Sequence, residues 1–201
     1  MELEASDQGG EEELRCRTPG AADLVSICRR LNEAGAKYVV VGGFAIIQAG
    51  FPRLTEDIDL LIEVGEPNEK VVLEVLAMLP DAAAALVTPG EVAKYGVVRI
   101  GDEVMVDLMK SACGVIYADA IRDAVRRDLE GVCIPFASKA SLWKMKQTVR
   151  AKDIPDRLFL VKALSEEGIP LDPPLKESED DVEVPAWIKS ILRWLRVKRG
   201  S

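Results

Sequence analysis

The sequence predicts a mixed α/β (α+β) domain, a small mixed β-sheet flanked by helices, on three observations. A β-branched and apolar run, Ala36 to Val41, stops at Gly42-Gly43 and gives way to helix-forming residues, Phe44 to Gly50. A second run carries Glu56-Asp57-Ile58-Asp59-Leu60. A third pair, Gly96 to Ile100 and Glu103 to Met109, is joined across Gly101-Asp102, a hairpin signal between β-branched segments. With 201 residues and 48% hydrophobic content the chain can bury one good core.

Taken in order, residues 1–19 are rich in Glu and Gly and read as a disordered acidic tail. A helix over about Ala21 to Ala34 follows, with Leu24, Ile27, Cys28 and Leu31 spaced as a core stripe. The strand ending at Val41 and the short helix after Gly43 come next. Pro67 to Leu79 offers another helix through Val71, Val72, Val75, Leu76 and Leu79. Asp81 to Tyr95 is undetermined, since the helix-prone Ala82 to Leu86 is broken by Pro89-Gly90. Beyond the hairpin, Tyr117 to Ile121 suits a short helix, and Ala124 to Leu129 and Val132 to Phe136 suit strands joined across Gly131. A helix through Leu142, Met145 and Val149 as its core face precedes a closing helix over Asp153 to Glu166. Residues 20–170 thus form the domain. An acidic linker, 171–184, leads to a basic amphipathic helix, 185–201, whose apolar stripe is Ile188, Ile191, Leu192 and Leu195. Packing of that helix on the acidic body or on a second copy of the chain is the expectation.

The chemistry concentrates at Asp57 and Asp59. Residues i and i+2 of a strand point to one side, so the two carboxylates stand together. Like charges that close are costly unless a cation lies between them or one takes up a proton. A few hard oxygen ligands with open positions suit Mg²⁺ bridging to a substrate's phosphates better than an all-protein calcium cage. Taken alone, Asp-x-Asp reads equally as two solvated acids at a strand end. The preceding Gly42-Gly43 turn adds weight, because strand, Gly-Gly and helix let a backbone approach a phosphate while helix N–H groups face it. A tight turn that merely needs glycine is the other reading. Asp107 interrupts an apolar strand, where an unpaired charge is expensive. If its strand lies beside that of Asp57 and Asp59, the three acids make a cluster able to hold two Mg²⁺, an arrangement suited to in-line phosphoryl or nucleotidyl transfer.

Composition excludes several rivals. Histidine is absent, which removes His triads and His general bases. Cys16, Cys28, Cys113 and Cys133 show no Cys-x-x-Cys spacing, so neither a zinc ribbon nor a dithiol motif is supported, and scattered thiols fit a cytoplasmic protein. A net charge of −8 argues against broad electrostatic binding to nucleic acid, though a local basic groove is compatible with it. No apolar run reaches membrane-span length.

As a set, Gly42-Gly43, a short helix, Asp57-x-Asp59 and Asp107 on a neighbouring strand resemble the nucleotidyltransferase superfamily. Arg53-x-Thr55-x-Asp57-Ile58-Asp59, and Lys146, Arg150, Lys152-Asp153 and Asp156 downstream, look like its abortive-infection (AbiEii-type) branch, which includes toxins of toxin–antitoxin pairs. The likeness spans roughly Lys37 to Leu164, with Gly43 standing where many active members have Ser. It implies a nucleotidyltransferase fold and transfer of a nucleoside monophosphate from a nucleoside triphosphate to an acceptor, with RNA, a protein side chain and a small molecule all compatible. Asp57, Asp59 and Asp107 would be the catalytic metal ligands for Mg²⁺, with Mn²⁺ as the alternative, and Asp107 would also help deprotonate the acceptor hydroxyl. Gly42, Gly43, Lys146 and Arg150 would bind the nucleotide. An antitoxin is the implied protein partner, and self-association is left open. The competing expectation is a nucleotidyltransferase-fold protein that binds a nucleotide or partner without catalysis. Residue by residue, Lys146, Arg150 and Asp153 fall at i, i+4 and i+7 and would share a helix face, while Asp153 before Pro155 reads equally as an N-cap.

Overall fold

The structure, a computed structural model, describes residues 16–174. The expected basic helix, most of the linker and most of the N-terminal tail lie outside the described residues.

A six-stranded mixed sheet has the spatial order β3-β4-β2-β1-β8-β7. Its strands are β1 (Tyr38–Val40), β2 (Asp57–Ile62), β3 (Val97–Gly101), β4 (Met105–Met109), β7 (Val125–Leu129) and β8 (Val132–Phe136). Two further short strands, β5 (Ser111–Ala112) and β6 (Val115–Ile116), form a separate antiparallel pair that the sequence pattern does not reveal. β2 runs antiparallel to β1 and parallel to β4, and β3 closes one edge antiparallel to β4. Central strands are fully buried where they carry Val39, Val40, Leu60, Leu61, Val106 and Leu108. The edge strand β7 instead exposes Arg126, Arg127 and Asp128, the polar composition that keeps a free edge from pairing with another chain.

The helices follow their sequence signals. α1 (Ala21–Glu33) buries Leu24, Ile27, Cys28 and Leu31 as one stripe, and the Asp23 carboxylate accepts from the Gly20 N–H at 2.7 Å to close its first turn. α2 (Gly42–Gln48) starts at the end of β1, and α3 (Glu66–Leu76) carries Pro67 in its first turn. The segment left undetermined by the sequence forms a 3₁₀ turn at Ala83–Leu86 and a short α4 (Glu91–Tyr95), followed later by α5 (Tyr117–Ala120). Two distant carboxylates order the first part. Asp102 accepts from the N–H groups of Asp81 and Ala83 at 3.0 Å each, and the fully buried Glu69 accepts from those of Gly90, Val92 and Ala93.

α6 (Lys139–Met145), capped by the Ser138 hydroxyl accepting from Ser141 N–H at 3.0 Å, packs on α7 (Ile154–Glu166) and on α2. It is shorter than its periodicity predicts. Val149, expected on the core face, is fully exposed. The reason lies in Arg157, whose Nη1 donates to the carbonyls of Lys146 at 3.1 Å and Thr148 at 2.7 Å, fixing the chain in a turn where the helix would have continued. Among the described residues no helix is long and apolar enough to cross a membrane.

Candidate active site

Register brings the acids together. In the parallel pair of β2 and β4, Asp59 stands opposite Asp107, and in the antiparallel pair of β3 and β4 Arg99 stands opposite Asp107. Arg99, Asp107 and Asp59 therefore form one row across three strands, with Asp57 two residues before Asp59 on the same face. One carboxylate oxygen from each of Asp57, Asp59 and Asp107 lies within 4.8 Å of the others, and no other such group of acids and cysteines is found among the described residues. The donors are all hard oxygens, with neither nitrogen nor sulfur among them, which fits Mg²⁺ or Mn²⁺.

Gly42 and Gly43 stand where backbone must pass these acids closely. Gly42 has φ +58°, and a Cβ there would lie 1.8 Å from Asp59 Oδ2. A Cβ on Gly43 would lie 2.1 Å from Thr55 Oγ1, so no side chain, serine included, fits at 43 unless Thr55 moves. Close contact with Asp59 thus accounts for Gly42, and close contact with Thr55 for Gly43. The Gly43 N–H favours the ionised form of the Asp59 carboxylate. The buried Thr55 hydroxyl is 3.2 Å from the carbonyl oxygen of Asp57 and 3.3 Å from its Oδ1, and donates toward them.

Charge is unevenly balanced over the three acids. Burial, then the negative charges of Asp57 and Asp107, push the Asp59 carboxyl up to about 6, while Lys146 and the Gly43 N–H act in the opposite direction. Asp107 is held in a fork: Arg99 Nε donates to Oδ1 at 2.8 Å and Nη2 to Oδ2 at 2.7 Å. Arg99 Nη2 is also 3.7 Å from Asp57 Oδ2. Arg99 is the site residue that the motif reading misses. Its available signal is alternation, because Val98 and Ile100 point into the core and leave Arg99 on the face of the acids.

Lys146 and Arg150 gather around acids of their own. The Lys146 ammonium is almost fully buried, 2.8 Å from Asp153 Oδ1 and 2.9 Å from Asp156 Oδ2. Arg53 reaches the same Asp156 oxygen at 2.6 Å, tying the loop before β2 to α7. Arg150 Nε donates to Asp153 Oδ2 at 2.9 Å and keeps over half of its side chain exposed. Asp153 does occupy the N-cap position of α7, yet its side chain caps nothing there and instead accepts from Lys146, Thr148 and Arg150. Burial alone would push its carboxyl up, toward the protonated form. The hydrogen bonds from Lys146 and Thr148, with the positive charges of Lys146 and Arg150, outweigh that and hold it below the usual carboxylate range. Lys146, Arg150 and Asp153 come together through the turn after α6, and the helix face expected to carry them is not formed.

Two surface cavities, of about 500 Å³ beside Cys16, Asp102 and Glu103 and about 410 Å³ beside Asp123, Ser138 and Lys139, are lined by other residues. The acids thus lie outside both cavities.

A mixed sheet whose strands carry a converged acid triad beside a Gly-Gly turn marks the class as nucleotidyltransferase-like. The family model described as "Nucleotidyl transferase of unknown function (DUF2204)" matches residues 21–179, and the chain belongs to that family. Among solved structures it is similar to an antigenic nucleotidyltransferase-like protein from Paracoccidioides brasiliensis, at 19% identity and a TM-score of 0.45, over 88% of this chain and 87% of that one. No curated protein matches the sequence.

Proposed function

We propose that the protein is a Mg²⁺-dependent nucleotidyltransferase that transfers a nucleoside monophosphate from a nucleoside triphosphate to an acceptor hydroxyl. The convergence of Asp57, Asp59 and Asp107 beside Gly42-Gly43 carries this reading, supported by the family to which the chain belongs. In this reaction the acceptor oxygen bonds to the α-phosphorus, the bond to the bridging oxygen breaks, pyrophosphate leaves, and the hydroxyl proton passes to the carboxylate cluster. Asp57, Asp59 and Asp107 would hold Mg²⁺ or Mn²⁺, which when bound supplies charge compensation for the phosphates and the leaving group. The chain's own residues set the stage. Gly42 and Gly43 keep the backbone close to the reacting phosphates, Thr55 orients Asp57, and Lys146 adds positive potential at Asp59 from its buried place. Arg150, with its exposed face, neutralises the triphosphate.

The assignment to a toxin of a toxin–antitoxin pair, cytoplasmic and held by an antitoxin, is supported by the AbiEii-type pattern at Arg53 to Asp59 and Lys146 to Asp156. Growth arrest on expression, relieved by Asp57→Ala, is its expected sign. The enzymatic test incubates the protein with each α-labelled triphosphate and a cell extract. A labelled RNA, protein or small molecule that disappears in Asp57→Ala supports transfer. Nucleotide binding without label from any triphosphate selects the binding-protein reading instead.

A further inference from the structure

On that reading of the site, we propose that Arg99 reads the acceptor, and that the acceptor is an alcohol with a phosphate group close to its reacting hydroxyl. In-line displacement puts the attacking oxygen and the departing pyrophosphate on opposite sides of the α-phosphorus. The row Asp59, Asp107, Arg99 gives the site two ends. At the Asp59 end stand Gly42, whose Cβ would lie 1.8 Å from Asp59 Oδ2, and Lys146, whose positive charge acts on Asp59. Arg150 joins Lys146 on Asp153. Close backbone and cations at that end suit the triphosphate and its leaving group. The acceptor hydroxyl then arrives at the other end, beside Asp107, and the cation it meets there is Arg99.

Exposure runs the same way. β3 is an edge strand, so no further strand covers Arg99, and well over half of its side chain is open to solvent while Asp107 is buried. Nε and Nη2 grip the two Asp107 oxygens at 2.8 and 2.7 Å, which fixes the guanidinium plane. Each oxygen keeps a second lone pair, so Asp107 stays in the metal set. Nη1 makes no hydrogen bond among the described residues, and with the second Nη2 proton it forms a free two-donor edge. An anion brought up to three carboxylates needs a cation of its own, and the guanidinium is charged at every accessible pH, a state that Asp107 reinforces. Phosphate matches that edge with two oxygens while its ester oxygen carries the chain to the hydroxyl. A polynucleotide end and a small phosphate ester share this chemistry; a protein side chain lacks it.

The test compares charged acceptors with neutral twins. Full-length wild type, Arg99→Ala and Arg99→Lys receive Mg²⁺, each α-labelled triphosphate and one of two pairs. One pair is a trinucleotide with a free 3′-hydroxyl and its twin with a neutral methylphosphonate at the last linkage; the other is glycerol 3-phosphate and glycerol. The wild type is expected to label a charged member about tenfold over its twin, the discrimination that one charged hydrogen bond supplies. Which pair is labelled tells a polynucleotide end from a small ester. Arg99→Ala should lose the preference through the acceptor KM, with the triphosphate KM unchanged, and Arg99→Lys should recover part of it. The ratio between twins isolates this contact, because any disturbance of Asp107 slows both alike. If only a cell extract yields label, a nuclease-sensitive product, or a small one with negative charge beyond the new diester, supports the proposal. Equal labelling of twins, a preference that survives in Arg99→Ala, or extract label on protein or on an otherwise uncharged molecule would overturn it and leave nucleotidyl transfer standing. No label from any triphosphate, on either pair or in extract, removes the transfer reading and this inference with it.

Discussion

Replacing Asp59 by asparagine should stabilise the metal-free protein while disabling its site. The folded chain displaces the Asp59 ionisation from the ordinary 3.8 to about 6, chiefly through burial and then through Asp57 and Asp107. At about 1.36 kcal/mol for each pH unit of displacement, holding this carboxylate ionised at pH 8 costs the fold about 3 kcal/mol. Asparagine carries no charge, and it gives up the favourable interaction of the carboxylate with the Gly43 N–H, roughly 1 kcal/mol. The net gain is about 2 kcal/mol, or about 4–8 °C in melting temperature for a domain of this size. Its pH dependence has a definite sign. Below about pH 4 the carboxyl is protonated in both states and costs nothing. Between about 4 and 6 the folded chain keeps a proton that the unfolded chain has released, so wild-type stability falls as pH rises, and above about 6 the full cost is present. Scanning calorimetry in a chelator should therefore show Asp59→Asn melting above the wild type at pH 8, with the gap shrinking by more than half at pH 4.5. In saturating Mg²⁺ the wild type alone should gain, by mass action. An asparagine variant that melts lower in chelator at pH 8, or a gap indifferent to pH, would refute the electrostatic reasoning.

Gly42→Ala should lower stability by at least roughly 1–2 kcal/mol from its left-handed backbone alone. Its Cβ would also displace the Asp59 carboxylate, so Mn²⁺ uptake should weaken along with the melting temperature. Glu69→Ala removes the acceptor of the Gly65, Gly90, Val92 and Ala93 N–H groups and should cost on the order of 3 kcal/mol in urea denaturation, while the Mn²⁺ count is unchanged. Burial pushes the Cys28 thiol up to about 12, so at pH 8 a thiol reagent should label the exposed Cys113 and Cys133 and reach Cys28 only in denaturant.

Local patterning carries far in this chain. The stripe of α1, the strand into Gly42-Gly43, the two acids of β2 on one face and the hairpin of β3 and β4 are all legible, because helix period, strand alternation and turn chemistry act within a few residues. The same rules mislead at α6, where Arg157, eleven residues beyond Lys146, claims the carbonyls and turns Val149 outward. They are silent on Asp81 to Tyr95, whose conformation is held by Asp102 and Glu69 from about twenty residues away. In the site itself, the sequence by itself determined which carboxylates are available and which of them share a strand. Only the tertiary structure decided that β4 lies parallel beside β2, that Asp107 meets Asp59 and Arg99 in one row, and that Lys146 is enclosed by Asp153 and Asp156. Strand order is chosen by how the whole core buries its apolar surface, a sum over the chain that no local period contains, and the pairing of charges follows from it.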